Sequence, residues 1–177
     1  MSGFSKGLTK VEVGLRWDPS PAGEPDHDLD LVAATYTTGD PYGNPAYLVH
    51  FASRSPDGTI TLLRDSRTGQ GFGDDEVMVL ELDRLAATYA RVVVGVAIQQ
   101  PGPRLTFAAV ANPGVRFRSG PRELAKHDFA EVGDATAATV AEFARDDTGE
   151  WRYRRTVHGF DTDPTGFAGL MGRRIPT

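Results

Sequence analysis

Two stretches of this sequence carry residues that could do chemistry. TGQGFGDDE, Thr68 to Glu76, alternates glycines at Gly69, Gly71 and Gly73 and then sets three acids in a row, Asp74, Asp75 and Glu76. PDHDLD, Pro25 to Asp30, places Asp26, Asp28 and Asp30 at every second position. Alternate residues of an extended chain share a face, so these three carboxylates line one side at ~6.6 Å per two residues. Left unneutralised, such neighbours repel by about 2.5 kcal/mol per pair at an effective dielectric near 20. A cation removes that repulsion, and hard oxygens in this number suit calcium better than magnesium.

Asp65 stands at the other end of the glycine loop. Glycine allows unusual φ and close approach there, so such a loop can aim backbone carbonyls as well as side chains. A phosphate cradle is excluded: the third glycine of G-x-G-x-x-G would fall at Asp74, the acids repel phosphate, and no P-loop lysine follows. An EF-hand is excluded too. Counted from Asp26, the glycine and glutamate positions hold Leu31 and Thr37; counted from Asp65, Glu76 fits but Arg67 and Gln70 do not. Acids at strand ends and in loops are ordinarily just solvated. Two groups in one small acidic chain favour a cation site, because calcium draws oxygens from separate segments.

Other chemistries lack residues. The histidines, His27, His50, His127 and His158, show no H-x-x-x-H spacing for zinc, and His27 reads as a surface residue on the opposite face from its aspartate neighbours. There is no G-x-S-x-G elbow, and the absence of cysteine excludes disulfides, thiol catalysis and cysteine-ligated zinc.

The elements that must position the acids are short. Twenty glycines and 12 prolines break the 177 residues into pieces that mostly have period two. Val11, Val13, Leu15 and Trp17 alternate with Glu12, Gly14 and Arg16, and strand-like runs follow at 29–36, 47–51, 59–64, 77–82, 92–98, 105–110, 115–118 and 151–157. SPDG, Ser55 to Gly58, is a turn. Two segments read as helical: Asp134 to Arg145, with Asp134 as N-cap, and Pro164 to Gly172 after Asp163. Many short strands without a βαβ rhythm predict an all-β fold, a sandwich or barrel, in one domain over 1–177. The net charge of -5 argues against nucleic acid as a partner. The longest apolar run, Val92 to Ile98, is too short for a transmembrane segment and the N-terminus is no signal peptide, so a soluble, cytoplasmic protein is expected.

In order, VEVGLRWD (Val11 to Asp18), DHDLD, SPDGTITLLRDSRTGQGFGDDEVMVLEL (Ser55 to Leu82) and GEWRYRRTVHGF (Gly149 to Phe160) resemble the tellurium-resistance TerD family of bacterial stress proteins. The resemblance spans nearly the whole chain. It implies a two-sheet β-sandwich with a short closing helix, calcium bound between acidic loops at one end, a role in tellurite and chemical or oxidative stress, and no enzymatic reaction. Carried over by position, the implied ligands are Asp26, Asp28, Asp30, Asp65, Asp74, Asp75 and Glu76, with a Gly71 carbonyl; Asp18 is a weaker candidate. The chain departs from the family at Phe72, where an acid is common, at Val32 and Ala33 in place of a serine, and at Phe51 and Ala52 in place of an asparagine pair. Phe107 to Val110 stands where the family has FGQV.

The expectation is therefore a non-enzymatic calcium-binding module, holding one or two ions and meeting protein partners of a stress-response complex. The rival is a metal-free scaffold that docks partners through Phe72. A metal-dependent hydrolase ranks below both, for want of a general base or nucleophile.

Overall fold

The computed structural model describes residues 7–174. Ten strands form two antiparallel five-stranded sheets. In chain order they are β1 (Lys10–Arg16), β2 (Leu29–Thr37), β3 (Tyr47–Val49), β4 (Ile60–Arg64), β5 (Glu76–Glu81), β6 (Tyr89–Ile98), β7 (Gly114–Ser119), β8 (Arg122–His127), β9 (Ala137–Arg145) and β10 (Trp151–Phe160). One sheet runs β4-β5-β1-β7-β8 and the other β10-β9-β6-β2-β3. The fold is the expected sandwich with a short C-terminal helix.

Period two explains the first sheet. Val11, Val13 and Leu15 of β1 are fully buried between the sheets with Met78, Leu80 and Phe117, while Lys10, Glu12 and Arg16 face outward. Each large apolar side chain so buried contributes about 1.5–3 kcal/mol. The second sheet is covered on both faces. Its outer side packs Val32, Ala34, Tyr36, Val93 and Ala97 under Phe167 and Met171 at the chain's C-terminal end. That double burial is why β2 and β6 read as almost continuous apolar runs. The helix α1 (Pro164–Leu170) starts as expected: Pro164 opens it and Asp163 Oδ1 accepts the Gly166 N–H at 2.7 Å.

Two expectations are corrected. Residues 137–145 form strand β9, not a helix. Ala138, Ala141 and Phe143 face the core between β6 and β10, and pairing on both edges overrides the helix preference of the alanines. Residues 105–110 are not a strand; Phe107–Ala109 make a single 3-10 turn that drops Phe107 into the core, stacked on Phe129 at 4.5 Å. Strand β8, RELAKH, has no apolar alternation and was not anticipated, because it is a largely exposed edge.

The connection through SPDG crosses from one sheet to the other, with Gly58 at φ +72° and Asp57 Oδ1 accepting the Thr59 N–H at 3.1 Å. One detail of register matters for the site. Strand β3 pairs with β2 only at Ala33 to Thr35, so the Leu29 to Val32 stretch of β2 has no strand partner on that side.

Candidate metal centre

Glu76 fills part of that gap. It is the first residue of β5 in the opposite sheet, and its Oε2 accepts the Leu31 N–H at 2.6 Å, so a carboxylate substitutes for the missing strand. Asp30, on β2, lies beside it. Asp65 follows the last residue of β4 and reaches the same place from above the glycine loop. One oxygen from each of Asp30, Asp65 and Glu76 lies within 4.8 Å of the other two. Among the described residues this is the one acidic group close enough to share an ion. Three full charges at that spacing would repel by about 3.5 kcal/mol per pair at an effective dielectric near 20.

Without a cation the site resists that charge by holding protons. Burial pushes the Asp30 carboxyl up to about 7; its Gln99 hydrogen bond, 2.6 Å from Gln99 Nε2, opposes this, and the charges of Asp28 and Asp65 add to it. Burial, then the Asp65 charge, pushes Asp28 up to about 6, with Arg67 pulling the other way. Glu76, fully buried, stands far above the usual carboxylate range, from burial first and the Asp65 carboxylate second. Glu76 Oε1 and Asp28 Oδ1 are buried with no N–H or hydroxyl donor on them, and the near partners of the two side chains are other acids, Asp65 for Glu76 and Asp30 for Asp28. Buried acceptors are almost always satisfied. A hard cation would satisfy both oxygens and discharge the repulsion, so the donor set fits a metal held by carboxylates.

A second set of contacts locks the arms of the site together through Trp17, buried at the end of β1. Its backbone N–H donates to Asp75 Oδ2 at 2.8 Å, and its Nε1–H donates to the His27 carbonyl at 2.8 Å. Gly69 lies directly over the same ring. The acid run, the glycine loop and the aspartate segment thus converge on one side chain.

The TerD domain family model matches residues 1–171. The chain belongs to the TerD family. Tellurium resistance protein TerD of Serratia marcescens is 29% identical over 165 residues, covering 90% of this chain and 85% of that protein. General stress protein 16U of Bacillus subtilis is 28% identical over 161 residues, covering 87% and 82%. A crystal structure of a homologue of telluride resistance protein TerD from Streptomyces coelicolor A3(2) superposes with a TM-score of 0.92 at 54% identity, covering 94% of this chain and 98% of that one. Its relatives are tellurium-resistance and stress-response proteins.

Within this TerD domain the candidate acids separate. Asp30, Asp65 and Glu76 meet, and Asp28 is their electrostatic neighbour. Asp26 is exposed beside Asp28. Asp75 is spent on the Trp17 N–H, and Asp74 lies on the outer face of β1 above Gly14, paired with Arg116 at 3.2 Å. Asp18 accepts from Asn112 Nδ2 at 2.6 Å. Gly71, at φ +116°, lies in the exposed part of the loop against Arg64, whose Nη1 donates to the Phe72 carbonyl at 3.4 Å. His27 is buried, at 8% exposure, and not the surface residue expected, because its carbonyl is tied to Trp17 and the ring is drawn in with it.

Of the departures from the family pattern, Phe72 is 97% exposed at the loop tip, and Val32 and Ala33 are simply core. Phe51 and Ala52 are exposed beyond β3. Gln99 and Arg67, which bear on the acids, escaped the sequence reading. Gln99 directly follows the apolar run of β6, and only the β2–β6 register, Leu29 opposite Ile98, brings it to Asp30.

The described residues contain no helix long and apolar enough to cross a membrane.

Proposed function

We propose that this single-domain TerD protein is a non-enzymatic, cytoplasmic calcium-binding module of the stress response, with Asp30, Asp65 and Glu76 as carboxylate ligands and Asp28 as the neighbouring fourth. The observation that carries the reading is the buried Oε1 of Glu76, with no donor group on it, beside Asp30 of β2 and Asp65 just past β4. Calcium is favoured over magnesium because every donor is a carboxylate oxygen, and calcium accepts many of them in irregular geometry. Bound there, the ion supplies the positive charge that lets the two sheets and the glycine loop be held together at this end.

Calorimetric titration of calcium into chelator-treated protein tests this. Wild type is expected to bind. Asp30→Asn and Glu76→Gln are expected to lose affinity by roughly 100-fold or more, since ligand charge sets calcium affinity. Asp74→Asn, whose carboxylate is turned to Arg116 on the outer face of β1, is expected to bind within about threefold of wild type. No heat with the wild type, or equal damage from Asp74→Asn and Glu76→Gln, would sink the assignment.

The module's output is a change of order in residues 65–76, which carry both Asp65 and the exposed Phe72. A protein partner would then read the ordered loop through Phe72. Amide exchange across 65–76 is expected to slow on adding calcium; unchanged protection would leave no basis for a sensor role.

A further inference from the structure

At the far end of the second sheet from the acids, a buried ion pair stands on the outer face. Arg91 Nε donates to Glu142 Oε1 at 2.6 Å, and Arg91 Nη1 donates to the carbonyls of Pro41 and Gly172. Both side chains are buried. Arg91 pairs in register with Tyr36, at the opposite end of β2 from Asp30, so about 20 Å of strand separates this pair from the candidate metal centre. The same guanidinium stacks on Tyr36 and Tyr42, at 5.2 and 4.5 Å from the ring centroids.

Each partner of Arg91 brings a further arginine to the same place. Gly172 is followed directly by Arg173, and the Tyr42 ring also carries Arg174, at 4.3 Å. Glu142 stands directly opposite Arg154 of β10. Residues so opposed share a face, with Cβ atoms about 5 Å apart. Glu142 is in turn opposite Val93 of the outer apolar cluster, so Arg154 projects from the outer face too. The four arginines line one cleft of about 540 Å³ with Tyr42 and Met171. Glu142, the one acid lining it, is held by Arg91 and Thr156, and Arg155 at the rim is taken by Glu131. Arg154, Arg173 and Arg174 are exposed and form no ion pair among the described residues. Three positive charges are thus left uncompensated together, in a chain that carries -5.

We propose that this arginine cleft docks an acidic segment of a protein partner, its carboxylates paired by Arg154, Arg173 and Arg174 and its backbone lying across Tyr42. Charge complementarity supplies the partner's sign, and arginine and tyrosine are the residues that protein interfaces favour. The spread of the charges supplies its form. Arg154 on β10 starts two strand spacings, about 10 Å, from Arg91 on β6, which Tyr42 and Arg174 cover. Carboxylates on alternate residues of an extended segment, ~6.6 Å apart, reach across that width, whereas one small oxyanion does not. Each guanidinium fork can take a carboxylate through two hydrogen bonds. The proposal uses no part of the calcium site.

A dye-labelled hexaglutamate peptide is titrated into the full chain in calcium-free buffer at low salt, with hexaglutamine and inorganic diphosphate as comparisons. Hexaglutamate is expected to bind with a Kd of about 100 μM, at least tenfold more weakly when salt is raised to about 0.5 M, and hexaglutamine not at all. The double variant Arg154→Gln with Arg173→Gln, at exposed positions that hold no ion pair, is expected to weaken hexaglutamate about tenfold or more. Arg54→Gln, equally exposed but just past β3 at the opposite edge of the sheet, is expected to stay within about twofold of wild type. In the wild type, the side-chain Nε–H resonances of Arg154 and Arg173 are expected to shift on binding, a readout that requires no variant to fold. Binding absent at about 1 mM, equal loss in Arg54→Gln and the double variant, or silence at Arg154 and Arg173 overturns the surface. Diphosphate binding as tightly as the peptide, or a salt-sensitive dimer of the chain alone that the double variant abolishes, overturns the acidic partner as its occupant.

Discussion

In chelator, the melting temperature is expected to fall by roughly 8 °C or more between about pH 5 and about pH 8, and calcium is expected to restore it. The sign follows from the acids at the β2 gap. Asp30 is pushed up to about 7 and Asp28 to about 6, against a usual value of 3.8. A raised acid keeps its proton in the folded state where the unfolded chain has released it. The folded state is therefore favoured most below 3.8, and this advantage is lost as the pH climbs to about 7. From about pH 5 upward, Asp30 alone accounts for on the order of 3 kcal/mol, at 1.36 kcal/mol per unit; Asp28, half-buried, adds less. For a domain of this length each kcal/mol moves the melting temperature by about 2–4 °C. Calcium at about 1,000 times its Kd would return about 4 kcal/mol.

Glu76 adds to the same slope. In the folded, metal-free protein it keeps its proton across the whole window, whereas the unfolded chain has released it, so folding must take that proton up. Glu76→Gln, which keeps an acceptor for the Leu31 N–H, removes this cost: it should raise stability in chelator by more as the pH climbs, and abolish the calcium-induced rise. Asp30→Asn should reduce the pH slope as well. Melting curves of the three proteins across pH, with chelator and with calcium, check this; a slope in Asp30→Asn equal to that of wild type would refute the account.

The second large effect is expected at Gly69, not at Gly73. Both have positive φ, +77° and +76°. A Cβ at Gly73 meets nothing within 4 Å, so Gly73→Ala carries only the backbone penalty, about 1 kcal/mol. A Cβ at Gly69 would lie 2.5 Å from Trp17 Nε1 and 2.9 Å from the Trp17 carbonyl. The second of these is backbone and cannot swing aside. Overpacking adds about 1–3 kcal/mol, for a total near 3 kcal/mol and a melting temperature lower by roughly 9 °C. Because Trp17 also holds His27 and Asp75, Gly69→Ala should weaken calcium about tenfold while Gly73→Ala leaves it nearly intact. Equal melting temperatures for the two variants would show that Trp17 does not tie the loop.

Much of the architecture was legible because burial writes period two into strands such as β1 and because Asp163 and Pro164 announce α1. Strand β9 was not, since an alanine-rich stretch is equally good helix until two neighbouring strands claim both its edges. Strand β8 was not, since an exposed edge needs no apolar face.

The sequence by itself determined the family, the sandwich and the kind of chemistry: RTGQGFGDDE and the spaced aspartates admit a hard cation and exclude a phosphate at that loop. What only the tertiary structure decided is which acids stand together. Asp74, Asp75 and Glu76 are equivalent as letters, yet one pairs with Arg116 on the outer face, one pins Trp17, and one enters the gap between the sheets. The chain bends at Asp75 before β5 begins at Glu76, so the three acids leave the backbone in three directions and neighbours in sequence are separated in space. Asp30, Asp65 and Glu76, far apart along the chain, converge because β3 is too short to cover β2 and the opposite sheet closes the gap with a carboxylate.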